Sequence, residues 1–100
     1  MPVQLPAKAT LAEADALLAL LKAALPAALA AGGGILRIDA SPLQQFDTSL
    51  VAVLLHTRRV AVAGGGRIEI VGAPPKLADL ARLYGVESLL PLTAASSPAA

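Results

Sequence analysis

The 100-residue chain contains no cysteine and no tryptophan, a single histidine, and only two aromatic side chains, Phe46 and Tyr84. Without cysteine there is no disulfide framework and no thiolate metal site. With so few aromatics the core must be aliphatic. Charge is scarce as well: 15% of residues are charged, and eight basic against seven acidic groups leave a net charge of +1. That balance argues against nucleic acid as the main ligand, because phosphate binding needs a concentrated basic patch. Long apolar runs are missing too. The longest stretch without a charge, Ala23 to Leu36, is 14 residues and contains Pro26 and Gly32-Gly33-Gly34. A membrane-spanning helix needs about 20 apolar residues. The first residues, Met1-Pro2-Val3-Gln4, have no basic segment leading into an apolar block, so no secretory signal is expected and the chain reads as cytoplasmic.

What is present is aliphatic. Hydrophobic residues make up 56% of the chain, 23 of them Ala and 19 Leu, and the mean hydropathy is +0.69. Such a composition excludes disorder. A chain this short cannot hide all of its apolar surface, and its charge is roughly half of what a self-sufficient small domain carries. An apolar face covered by a partner is the first functional expectation.

Local patterns divide the chain into one domain, 1–92, followed by a loose tail of small residues, 93–100. Thr10-Leu11-Ala12-Glu13 fits a capping box. After it, Leu11, Ala14, Leu17, Leu18, Leu21 and Leu25 recur at helical spacing. Pro26 is expected to break or kink this helix, with a short continuation to Ala31 ended by the triple glycine. Ile35 to Asp39 and Arg67 to Val71 alternate aliphatic and charged residues, the pattern of a sheet covered on one face. Between them, Thr48 to Ala63 reads as a second helix with a core stripe of Leu50, Val53, Leu54, Thr57, Val60 and Ala61, closed by Gly64-Gly65-Gly66. Strand, helix and strand in about 35 residues predict parallel strands joined by a right-handed crossover. A third helix starts at Pro74-Pro75, with Pro75 at its first position. Leu77, Leu80, Ala81 and Tyr84 form its apolar face, and Gly85 ends it. Val3 to Leu5 is an expected edge strand, and Val86 to Leu92 a short edge strand or turn.

Several chemistries lack their residues. His56 has no acidic residue within four positions, so no metal ligand set is seen. None of the five serines sits in a Gly-x-Ser-x-Gly elbow. Both glycine triplets lead into strands, whereas a phosphate cradle follows a strand and opens a helix. No catalytic residue and no cofactor is therefore expected. The strand-to-helix junction of the right polarity is Asp39 to Thr48, which carries Asp47, Thr48 and Ser49 where a helix start offers free N–H groups. These residues read either as plain N-capping or as an exposed hydroxyl, Thr48, used for partner contact or phosphorylation. A phosphate there would bring about two negative charges beside Asp47 and act as an off-switch.

Taken together, Asp39-x-Ser41, Phe46-Asp47-Thr48-Ser49 and the aliphatic helix after them, Ile70-Val71-Gly72, and the run Leu80-Ala81-Arg82-Leu83-Tyr84-Gly85-Val86 resemble a STAS domain. This is the fold of anti-sigma-factor antagonists and of the cytoplasmic domain of sulphate transporters. The resemblance covers about Leu5 to Leu90, and its last run looks most like the MlaB branch, the small STAS subunits of bacterial Mla phospholipid transporters. It implies an α/β STAS (anti-sigma-factor-antagonist-like) fold, a small mixed sheet with helices packed on one side, and no enzymatic activity. It implies a cytoplasmic subunit, peripheral to the inner membrane, that binds the MlaF-like ATPase of an ABC transporter. Such a subunit supports assembly and activity of a complex that moves phospholipid between the inner and outer membranes and maintains lipid asymmetry. Thr48 falls on the position of the phosphorylatable Ser of the antagonists, so an anti-sigma-factor antagonist regulated at Thr48 is the alternative. The chain departs from the antagonist pattern Asp-Ser-Ser/Thr-Gly, having Thr48 for Ser and Leu50 for Gly; a bulky Leu50 suits a permanent contact better than a regulated one. The expected partner surface comprises Asp47, Thr48, Ser49, Ala52 and His56 with Arg59 as a polar rim. A second candidate is Pro74-Pro75-Lys76 and the third helix, with Asp79, Leu83 and Tyr84, because connections after parallel strands gather at one edge of the sheet.

Overall fold

The aliphatic alternation at Leu36/Ile38 and Ile68/Ile70 sets the layers of the molecule. A computed structural model describes residues 3–30, 34–86, 88–90 and 92–94. In chain order the elements are β1 (Val3–Gln4), β2 (Lys8–Ala9), α1 (Leu11–Ala30), β3 (Ile35–Asp39), β4 (Gln45–Phe46), α2 (Thr48–Ala63), β5 (Arg67–Ala73), α3 (Pro75–Leu83) and β6 (Leu92–Ala94). The main sheet has the order β1-β3-β5-β6, and β2 and β4 form a separate two-stranded sheet. In the central ladder Leu36 lies opposite Ile68 and Ile38 opposite Ile70, all four buried. Arg37 and Glu69 face each other on the other side, with Arg37 Nε 3.3 Å from Glu69 Oε1.

The helices supply the other half of the core. α1 buries Leu17, Leu21 and Leu25; α2 buries Leu50, Val51, Val53, Leu54, Thr57 and Ala61; α3 buries Leu77 and Ala81. Thr57 is the buried polar side chain among the described residues, and its hydroxyl donates to the Val53 carbonyl at 2.8 Å, so it enters the core satisfied. Val51 joins the expected stripe, and Val60 is only half-buried.

The STAS arrangement expected from the sequence is present, with specific differences. Every ladder among the described residues is parallel, where a mixed sheet was expected. Helical crossovers explain this for β3 and β5, since a helix laid on the sheet returns the chain in the same direction. α1 continues through Pro26 instead of breaking there. Pro26 lies on the exposed side, as does Lys22, whose carbonyl loses its partner and can be solvated. Leu11, the first residue of α1, is not part of the core stripe but 74% exposed. Tyr84 is 55% exposed rather than packed: it is the C-cap of α3, after which the chain turns at Gly85 with φ +69°. β6 pairs with β5 and carries the sheet past residue 92, to Ala94. The remainder of the expected tail, 95–100, and the helix stop at 31–33 lie outside the described residues.

Two motifs thirty residues apart meet at the end of the sheet. Asp39 Oδ1 accepts from the Ser41 amide at 2.9 Å, and the Ala40 amide donates to the Val71 carbonyl at 2.8 Å. Gly72, at φ +68°, closes this turn: a Cβ there would stand 3.0 Å from Ser41 Cβ and 3.2 Å from Asp39 Oδ1. Glycine is favoured by the positive-φ backbone conformation, and a side chain here would crowd Ser41 and Asp39.

Leu54 is completely buried and Leu20 is half-exposed. In denaturant titrations Leu54→Ala is expected to lose about 2–5 kcal/mol of unfolding free energy, and Leu20→Ala within about 0.5 kcal/mol of none. A Leu20 effect equal to that of Leu54 would contradict this layering.

Candidate functional site

β2 and β4 lie side by side in parallel, with Lys8 opposite Gln45 and Ala9 opposite Phe46. The Gln44 and Gln45 amides reinforce the pairing by donating to the Ala7 carbonyl at 2.8 and 2.9 Å. Each strand runs directly into a helix, so α1 and α2 begin next to each other. Every helix start leaves N–H groups without partners, and two starts brought together concentrate that demand. Asp47, the residue before α2, meets part of it on both sides. Its Oδ1 accepts from the Ser49 amide at 2.9 Å, and its Oδ2 accepts from the Leu11 amide of α1 at 3.2 Å. One carboxylate therefore caps two helices.

The capping box expected at Thr10 is half formed. Glu13 Oε1 accepts from the Thr10 amide at 2.8 Å and also from the Thr10 hydroxyl at 2.6 Å. The hydroxyl thus gives its proton to the carboxylate instead of accepting from the Glu13 amide, which bonds the Thr10 carbonyl at 3.0 Å. These contacts stabilise the charged carboxylates. The Ser49 amide, with the Leu11 amide and the Ser49 hydroxyl adding to it, holds the Asp47 carboxyl below its ordinary range. The Thr10 hydroxyl and amide do the same for Glu13, and the Ser41 amide and hydroxyl for Asp39.

Because Asp47 does the capping, the Thr48 hydroxyl is not needed for it. Thr48 is exposed and makes no hydrogen bond through its side chain among the described residues. Ala52, His56 and Arg59 are also exposed and follow Thr48 at steps of four, four and three residues, so the four share one face of α2. Ser49 is half-buried at the edge of that face. Leu11, exposed at the neighbouring helix start, adds an apolar side chain to the same tip. Lys76, in the first turn of α3, lines an open cleft with Lys8, Thr10, Gln44, Gln45 and Phe46, which joins it to this end of the molecule. Tyr84 does not join it. It follows Leu83 at the far end of α3, ~13 Å away at 1.5 Å per residue.

Leu11, Lys8 and the two glutamines were not legible as site residues. Leu11 fits the helical apolar spacing as well as its buried neighbours do, and differs from them in standing at the first position of α1, where it is exposed. Two-residue strands carry no period that a sequence can display. No group of three or more His, Asp or Glu side chains that could hold a metal ion occurs among the described residues.

Asp47→Ala removes the shared cap and is expected to lower the melting temperature more than Asp15→Ala does, at neutral pH. Since folding depresses the Asp47 pKa, its contribution is complete above the unfolded-state value and disappears as pH falls through the folded-state value. The difference in melting temperature between wild type and Asp47→Ala should therefore shrink on acidification. A difference that grows at low pH would refute the assigned role.

The family model described as "Mlab, STAS domain" matches residues 3–91, a span that includes both helix starts, the whole of α2 and α3, and the Asp39–Gly72 turn. No curated protein matches the chain. With nearly the whole length matched, and with a helix-covered sheet whose strand-to-helix junction carries Asp47 and Thr48, the chain belongs to the STAS-domain family, in its MlaB-type branch.

Proposed function

We propose that this chain is a non-catalytic adaptor that docks onto the ATPase subunit of an ABC-type phospholipid transporter, resembling MlaF, and supports assembly and activity of that complex. The family supports the class of partner. The observation that carries the choice of surface is the α2 tip, where Thr48 is exposed with its hydroxyl unused while Asp47 holds the helix start. Around Thr48 lie Leu11, Ala52 and His56, with Lys76 and Arg59 further out. A charge-poor centre within a polar rim is the composition of a protein–protein interface. In this reading the chain meets the transporter through this surface and sits at the inner membrane by way of its partner; no described helix is long and apolar enough to cross a membrane.

The antagonist reading would make the same hydroxyl a phosphate acceptor. A phosphate on Thr48 would stand next to a carboxylate that two helix starts keep ionised, and like charges in that position repel. The antagonist pattern also has an Asp before its Ser, so it is the MlaB-type family match that supports the transporter reading.

The test is a pull-down of the tagged chain from native membranes, with the retained ATPase then titrated against variants. Thr48→Glu should leave the fold intact and shift the melting curve little, since the helix start tolerates an acidic group and offsets its repulsion from Asp47. It should weaken binding roughly tenfold, the size of a contact near an interface centre. Arg59→Glu should weaken it about threefold, as expected at a rim. Wild-type affinity in Thr48→Glu would remove Thr48 from the surface. Phosphate incorporation at Thr48 by an anti-sigma kinase, without retention of any ATPase, would establish the antagonist reading instead.

A further inference from the structure

At the end of α2 remote from Thr48, an open groove lies between the helix, the first residues of β5 and the turn after α3. Val62 and Leu89, both partly exposed, form apolar walls, and the buried Ile68 lies between them. Arg58 and Arg67 stand at its rim. Glu69, the acidic group of the groove, is already engaged by Arg37 Nε at 3.3 Å and by Arg67 Nη2 at 4.0 Å. Arg58 is different. It is half-buried, with no ion pair or hydrogen bond among the described residues. Its guanidinium therefore has no acceptor among the described residues, and its planar fork matches a carboxylate.

The geometry points to a second docking site in this groove, taking an acidic segment of the partner protein in which an aliphatic side chain adjoins an Asp or Glu. The aliphatic group would fill the space between Val62 and Leu89, and the carboxylate would bond Arg58. This rests on the proposed function for the identity of the partner. A protein segment fits better than a lipid surface. Of the arginines lining the groove, Arg67 is already paired with Glu69, so a single guanidinium is left to bind beside the exposed Val62 and Leu89, which suits one carboxylate next to an aliphatic group better than a sheet of phosphates.

The ATPase retained by the wild-type chain is to be titrated with Arg58→Glu, Arg58→Lys and Val62→Glu, each checked by thermal melting. Losses of at least roughly fivefold are expected for Arg58→Glu and Val62→Glu. A loss of about twofold is expected for Arg58→Lys, which keeps the charge and loses the fork. If Arg58→Glu fails to fold, the other two variants decide. Wild-type affinity in folded Val62→Glu and in Arg58→Lys overturns the groove and leaves the docking function standing. A wild-type chain that retains no ATPase overturns the function itself, and the inference with it. Binding of the chain alone to phosphatidylglycerol vesicles, abolished by Arg58→Glu, would assign the groove to lipid and overturn the protein occupant.

Discussion

The Asp47 carboxylate, shared between the starts of two helices, is the constraint on which the β2–β4 end of this molecule depends. The positive ends of the α1 and α2 dipoles converge on it, and its two oxygens accept from Ser49 and Leu11. The small β2–β4 sheet brings the two starts together, and Asp47 relieves the electrostatic consequence. Two results follow from one side chain. The first is rigidity: the tips of two helices are tied to each other as well as to the sheet beneath. The second is release: with capping assigned to Asp47, the next residue, Thr48, is available for contact.

The rest of the fold supports that tip with very little charge. The core is almost wholly aliphatic, and its polar member, Thr57, bonds back to its own helix. Among the described residues, the ion pairs at Glu69 lie on the sheet face turned away from α1 and α2, where exposed pairs add little stability. Stability therefore comes from packing α1 and α2 against β3 and β5, and the low surface charge leaves apolar side chains such as Leu11, Val62 and Leu83 at the surface. A domain of this kind gains from being covered, which the proposed docking would supply.

Much of this was readable from residues whose signals are local. The limits of α2 coincide with the expected Thr48 to Ala63 because a capping residue stands before it and a glycine stands after it. Two strands follow from alternation, and the start of α3 follows from Pro74-Pro75. What escaped detection depends on distant neighbours. Pro26 looks like a break until its turn is seen to face solvent. Leu11 and Leu17 fit the same spacing, yet one lies at the tip and the other in the core. The α2 face from Thr48 to Arg59 was legible because helical spacing suffices to define it. Lys76 joined that end because chains leaving parallel strands emerge at a common edge, and Tyr84, carried to the opposite end by the helix itself, did not. The cap from Asp47 to Leu11 spans 36 positions and has no signature in either segment.

Amide hydrogen exchange on the chain with and without the proposed ATPase partner reads the central claim residue by residue. The first-turn amides of both helices, from Leu11 to Glu13 and from Thr48 to Leu50, should be slowed in the complex, together with those along α2 toward Arg59. A complex that forms while these amides exchange as they do in the isolated chain, with protection confined to the open sheet face around Arg37 and Glu69, would contradict it.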